Sequence, residues 1–361
     1  MKKILALTLL AASALPSMAQ QVTKLSATKA NDYGIVYSLP QTALHISLEA
    51  EGTVKTPGEF YQYAERYLGS QAAKGAIAKP SSSWKLTGAS ITPVGVPRTS
   101  GETWLMQFKS GTPVFAMVNA QGLPLAIGTE VDEPSTDTPE QIGRRTTTQP
   151  DRTAARYAMT EDMVQSSSLA KRAALAAAQI MELRRSRQDY LTGQADQMPD
   201  GAALKIILDN INAQEEALTA MFLGTVVKRT EATVVTVTPD ASGESDLVIA
   251  RLNPTKGFVD ADDLSGAPVY LDVTVTDRGK MPVNEKGETK KFPKNGVAYC
   301  IPGSGSASVD FGGRTFCSRP VSLAQSGVVY GLDPSIFTDK KSRAYVIFDP
   351  TTGGIRELGT K

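Results

Sequence analysis

The chain has 361 residues, 41% hydrophobic and 21% charged, with 38 Lys and Arg against 37 Asp and Glu and a single His. A balance this close to neutral excludes a broadly basic nucleic-acid-binding protein, and one histidine excludes multi-histidine zinc sites. The composition is that of an ordinary globular protein of about two domains.

Met1, Lys2 and Lys3 make a positive start, followed by an apolar-rich stretch from Ile4 to Leu15 and then Pro16, Ser17, Met18 and Ala19. This layout predicts a signal peptide over 1–19, cleaved after Ala19 so that the mature chain begins at Gln20. The apolar stretch is shorter than the roughly 20 residues that span a bilayer, and no cysteine lies near the boundary to carry a lipid. A soluble, unlipidated protein of the periplasm or the outside is expected, with no transmembrane segment in the mature chain. Removing Lys2 and Lys3 leaves 36 basic against 37 acidic residues.

Residues 20–130 read as an N-terminal β-rich domain with one helix. Tyr33 to Leu39 and Ala43 to Ala50 are predicted strands, the second alternating Leu44, Ile46 and Leu48 with His45, Ser47 and Glu49, and Pro40 to Thr42 form the turn between them. Thr56, Pro57, Gly58 and Glu59 fit a capping box with Pro at the first helical position, opening a helix that Gly69 stops. Phe60, Tyr63, Ala64 and Tyr67 fall on one face of it, which favours core packing over stacking on a sugar. Trp104 to Phe108, Val114 to Val118 and Leu123 to Ile127 are further strands, the last two joined by a turn through Asn119 to Gly122.

Residues 131–168, with Pro134, Pro139 and Pro150, read as a polar linker or long loop. Residues 169–224 then carry two helical stripes, Leu169, Ala173, Ala176, Ile180, Leu183 and Tyr190, then Leu204, Leu208, Ile211, Leu218 and Phe222. Gly193 and Gly224 end them, and the short joint through Pro199 predicts an antiparallel helical hairpin. Folding it about the joint places Ile180 near Ile211, and Glu215 opposite Ala176 within reach of Arg172. From Thr225 the period becomes two, so 225–361 reads as a C-terminal antiparallel β domain. The fold class expected is α+β: two mainly antiparallel β domains with an antiparallel αα-hairpin between them.

Cys300 and Cys317, the chain's two cysteines, lie in this last region of an exported chain and are expected to form one disulfide. His45, alone on a strand, reads as a polar-face residue and has no Ser or Cys motif near it for triad chemistry. Ser168-Leu169-Ala170-Lys171, with Lys109-Ser110-Gly111, imitates the motifs of penicillin-recognising serine enzymes, but in reversed order, and Ser168 is better placed as a helix cap. Asp260, Asp262 and Asp263 with Gly266 lack EF-hand spacing and read as a solvated turn. Lys171, Arg172, Arg184, Arg185 and Arg187 read as a solvated helix face. The glycines at 303, 305, 312 and 313 have no P-loop lysine and read as turns. No catalytic, cofactor-binding or metal-ligating residue is therefore assigned.

The runs Ile35-Val36-Tyr37-Ser38-Leu39-Pro40 and Pro57-Gly58-Glu59-Phe60-Tyr61-Gln62-Tyr63-Ala64-Glu65-Arg66-Tyr67-Leu68-Gly69 resemble the Bacteroidetes domain-of-unknown-function family 4831. So do Glu215 to Gly224, Tyr299 to Gly303, and Leu323-Ala324-Gln325-Ser326-Gly327. The resemblance spans nearly the whole mature chain, implies an exported protein and brings no known activity. The expectation is a non-catalytic envelope protein that binds or scaffolds a partner, an envelope protein or a glycan; the alternative is a glycan-directed hydrolase or lectin. An exposed apolar face on the hairpin would favour the first, and paired carboxylates in an aromatic cleft the second.

Overall fold

A strand with Leu44, Ile46, Leu48 and Ala50 on one side and His45, Ser47 and Glu49 on the other has one face to bury. In the computed structural model of the chain that face lies at the centre of a β-sandwich. The structure describes residues 34–107, 114–132, 145–146, 157–293, 296–337 and 343–360. The expected signal peptide with its Ala19–Gln20 cleavage site, Lys109-Ser110-Gly111 and most of the expected linker lie outside the described residues.

The N-terminal stretch contributes β1 (Gly34–Ser38), β2 (Pro40–Thr56), α1 (Ala64–Leu68), α2 (Ser70–Ala73), β3 (Ser81–Pro97), β4 (Thr103–Gln107), β5 (Ala116–Val118) and β6 (Pro124–Ile127). The middle contributes β7 (Arg145–Thr146), α3 (Glu161–Gln165), α4 (Leu169–Thr192) and α5 (Gly201–Leu223). There follow β8 (Thr225–Val237), β9 (Gly243–Asn253), β10 (Gly257–Val259), β11 (Ala267–Asp277), β12 (Val297–Phe311), β13 (Arg314–Leu332), β14 (Ala344–Phe348) and β15 (Ile355–Thr360). Every described pairing is antiparallel, and the fold is α+β.

Two sheets, β3-β2-β8-β7 and β10-β9-β11-β12-β13, enclose the first core, in which Leu44, Ile46, Leu48, Val269, Leu271 and Leu323 are fully buried. The helices and α1 form a second core. The pair β1-β4 and the sheet β15-β14-β6-β5 form a third with Tyr37, Ile127, Val346 and Phe348. The division into β domains over 20–130 and 225–361 does not correspond to separate sheets. β8 pairs with β2 along its whole length, from Leu44 opposite Val237 to Thr56 opposite Thr225, and β14 pairs with β6. Periodicity gives a strand its faces, whereas its partner is fixed by long-range packing.

The turn expected at Pro40 to Thr42 is instead the start of β2, because β1 pairs with β4 in another sheet and the chain passes straight between the two. The predicted capping box does not form. Thr56 ends β2, a 3-10 turn spans Tyr61–Tyr63, and α1 begins at Ala64 with no side-chain cap. Glu59 instead pairs with Arg172 of α4. The part of the expected linker that is described includes α3, capped by Thr160 and resting on the helical core through the buried Met163.

The two cysteines are not joined. Cys300 stands opposite Val329 and Cys317 opposite Val309 in the same β12–β13 ladder, nine residues apart along it. At about 3.3 Å per residue that is roughly 30 Å, whereas a disulfide needs Cα atoms within about 7 Å. The sequence separation of a hairpin-like loop was misleading because both strands are long. Gly312 and Gly313 do form the turn, with φ of 60° and 77° between Phe311 and Arg314, the tight hairpin connection that favours glycine. Gly303 and Gly305 are strand residues rather than turn residues, packed where a Cβ on Gly305 would meet the Thr274 carbonyl.

Cys300 is buried, donates to the Ala324 carbonyl at 3.4 Å, and burial pushes its thiol up to about 11, with Arg98 nearby opposing the shift. It is therefore protonated and unreactive at neutral pH. Alkylation of the unreduced, guanidinium-unfolded protein should add two labels by intact mass, and in the native protein Cys317 should label well ahead of Cys300. Zero labels without reductant would mean the bond exists.

Candidate binding site at the helical hairpin

The hairpin is anchored at one end and free at the other. Ser168 caps α4 by accepting from the Lys171 N–H at 3.4 Å, as its sequence position implied, and Asp200 caps α5 by accepting from the Ala203 N–H at 2.9 Å. At the anchored end Phe222 is fully buried against Phe60, ring centroids 5.3 Å apart, and Tyr67 at 6.3 Å. The Phe60 N–H donates to the Met221 carbonyl at 2.7 Å and the Ile77 N–H to the Leu223 carbonyl at 2.8 Å. Gly58 makes this approach possible: a Cβ there would sit 2.3 Å from the Met221 carbonyl oxygen. The aromatic face of the first helical region is thus core, as its spacing indicated.

The buried stripe of α4, Ala173, Ala176, Ala177, Ile180 and Leu183, is small where α5 presents Leu218 and Phe222, which brings the two helices together. Their axial register differs from the predicted one. Glu215 meets Arg184 and Arg187, each at 2.6 Å, and Arg187 also reaches Asn212 at 3.1 Å. These arginines lie eight and eleven residues beyond Ala176, about two to three turns along α4 from the predicted position. The stripe defines which faces meet; the clasp around Phe222 sets how far along. Arg172, expected beside Glu215, is engaged by Glu59. Arg185 pairs with Glu182, so these four arginines are ion-paired rather than a free basic surface.

Between α4, α5 and the start of β8 lies a groove of about 730 Å³, lined among others by Arg184, Arg187, Asn212, Glu215, Thr219 and Val226. Glu215, 13% exposed, is paired with two guanidinium groups on α4 and so braces the hairpin.

The free end differs in kind. Leu191 is 64% exposed, Met198 51% and Ile206 62%, and all three flank the joint between α4 and α5. Sequence reasoning passed over them: Ile206 stands off the α5 stripe, and Leu191 continues the α4 stripe past Leu183, the last residue of that helix to be buried. Ile206 carried a signal, an apolar side chain on the face of α5 turned away from its stripe.

The other singled-out residues lie apart from this end. His45 stands on the outward face of β2 between Thr92 of β3 and Thr236 of β8, its Nδ1 buried without a hydrogen-bond partner. Asp260, Asp262 and Asp263 make a turn, in which hydrogen bonds from Ser265 hold the Asp263 carboxyl below the usual carboxylate range. Among the described residues, no group of three His, Cys, Asp or Glu side chains is placed to hold a metal ion, and no helix is long and apolar enough to cross a membrane.

Taken together, the molecule is an antiparallel α+β protein whose sheets are shared between the two ends of the chain and from which a helical hairpin projects an apolar end. It belongs to the family described as Domain of unknown function (DUF4831), which matches residues 33–356. No curated protein and no solved structure is significantly similar to it.

Proposed function

We propose that this is an exported envelope protein of a Bacteroidetes bacterium that binds or scaffolds a partner, and that the free end of its helical hairpin is the docking element. The signal layout of residues 1–19 supports export, with a mature chain beginning at Gln20, soluble and unlipidated, in the periplasm or outside. The observation that carries the binding reading is the trio Leu191, Met198 and Ile206, more than half exposed at the end of an anchored hairpin. Exposed large apolar side chains mark interaction sites where they gather, and these three fall within residues 191–206, in and beside the joint. The bracing of Glu215 by Arg184 and Arg187 supports this role by stiffening the arm behind the end.

A photo-crosslinking amino acid placed at Met198 or at Ile206 in intact cells should capture the same neighbour from both positions. Placed at Lys85, exposed on the outward face of β3, it should capture none. Equal capture from all three positions, or none from the hairpin, would remove the docking role.

A further inference from the structure

We propose that the hairpin end docks on the basic loop between β11 and β12 of a second copy of this chain, in a head-to-tail association. This rests on the reading of the hairpin end as the docking element and names what occupies it.

The loop that follows β11 has a defined shape through Phe292. The Gly279 N–H donates to the Ser326 carbonyl at 3.2 Å and the Lys290 N–H to the Pro282 carbonyl at 2.8 Å. Val283 bridges to Thr289, and the Asn284 side chain accepts from the N–H groups of Lys286 and Glu288 to close the far turn. Phe292 stacks on Trp104 of β4 with ring centroids 5.9 Å apart. Over residues 278–292 the loop carries five basic residues against two acidic, a balance of +3. Arg278, Lys286, Lys290 and Lys291 are exposed, and Lys280 meets Asp277 at 3.4 Å. Two apolar side chains stand among them, Val283 at 56% exposure and Phe292 at 41%.

The hairpin end is its counterpart. Residues 189–209 carry Asp189, Asp196, Asp200 and Asp209 against Lys205, a balance of −3. The same stretch carries the exposed Leu191, Met198 and Ile206. The two segments therefore match in charge, −3 against +3, and each carries exposed apolar side chains. Both are exposed in the single chain, so neither covers the other within it. Because the surfaces differ, the contact is heterologous and leaves one of each unoccupied in every pair, so it propagates unless it closes into a ring.

Sedimentation velocity of the purified chain should show association growing with concentration and weakening as salt rises. Two surface variants separate the halves of the contact: Lys286→Glu with Lys290→Glu and Lys291→Glu, and Asp196→Lys with Ile206→Lys. Each alone should associate at least about tenfold more weakly than wild type, and an equimolar mixture of the two should form a one-to-one pair that grows no further. Lys290→Gln with Lys291→Gln, a milder change, should weaken association in the same direction, and all variants should keep the wild-type melting curve. A wild type that stays monomeric, a variant that associates as wild type does, or a mixture that fails to pair overturns the proposal. So does a monomeric wild type that floats with phosphatidylglycerol vesicles through the same lysines, which would assign the loop to an anionic membrane surface. If the chain stays monomeric while the hairpin positions still crosslink to one other protein in cells, the docking role stands and self-association fails.

Discussion

Gln325→Leu unfolds at a lower urea concentration than the wild type, with a loss of about 3 kcal/mol. Its amide accepts from the Thr42 N–H at 2.9 Å and donates both to the Thr42 carbonyl at 3.0 Å and to the Pro239 carbonyl at 2.9 Å. Residues 324–327 leave the ladder there, since Ile301 pairs with Val328 and Gly303 with Leu323, and the excursion reaches across to β2. Thr42, fully buried, answers by accepting from the Ala324 N–H at 3.0 Å. Leucine matches the size of glutamine but strands three backbone groups, and each stranded buried group costs about 1 to 3 kcal/mol. Thr42→Ser, which keeps the hydroxyl, should lose far less than Gln325→Leu in the same titration. If the two variants unfold together with the wild type, water reaches these groups and the latch contributes nothing.

Phe222→Ala should be as damaging by a different route, about 3 to 5 kcal/mol from the cavity left between Phe60 and Tyr67. Ile211→Ala, further along the same helix and only half-buried, should cost clearly less. Hydrogen exchange locates the effect: in Phe222→Ala the amides of α4 and α5 should exchange faster while those of β11 and β12 stay protected. Uniform loss of protection would show that the hairpin and the sandwich unfold as one unit.

Much of the local structure was legible in the sequence because it is written by neighbours. Alternation marked β2 and β11, the paired stripes marked the hairpin, and Ser168 and Gly193 marked the ends of α4, the latter in the left-handed region at φ 74°. The turn at Asn119 to Gly122 is closed by the Asn119 side chain accepting from the N–H groups of Gln121 and Leu123. What was not legible depends on distant partners. β3 escaped notice because Ser81 to Ser83, Gly88 and Pro93 look like loop; at the edge of a sheet, proline and outward serines are tolerated. The length of β13 was hidden by its excursion at 324–327, and the disulfide was misread because a short sequence separation concealed two extended strands.

The candidate site was half legible. The hairpin is foreseen but its exposed end is not, since periodicity gives a helix its apolar face without saying how far along that face the partner helix covers it: Leu191 lies on the α4 stripe and is still 64% exposed. The residues that carried the family resemblance are explained by the structure: Pro57 to Phe60, Glu215 to Gly224 and Leu323 to Gly327 are where one segment of the fold grips another. They speak of assembly of the fold, and so they could not have indicated a ligand.

The sharing of strands between the two ends of the chain sets the order in which it can fold. β2 finds no neighbour on the β8 side until residues 225–237 have been made, and β6 waits for β14, more than two hundred residues later. Contacts this distant in sequence form slowly, because a large loop must close before any of them is rewarded. The first third of the polypeptide therefore leaves the ribosome with apolar strand faces and unpaired edges that nothing yet made can cover, a state that invites holding by a chaperone. For the export proposed above, that delay favours a chain that is still unfolded when it meets the membrane.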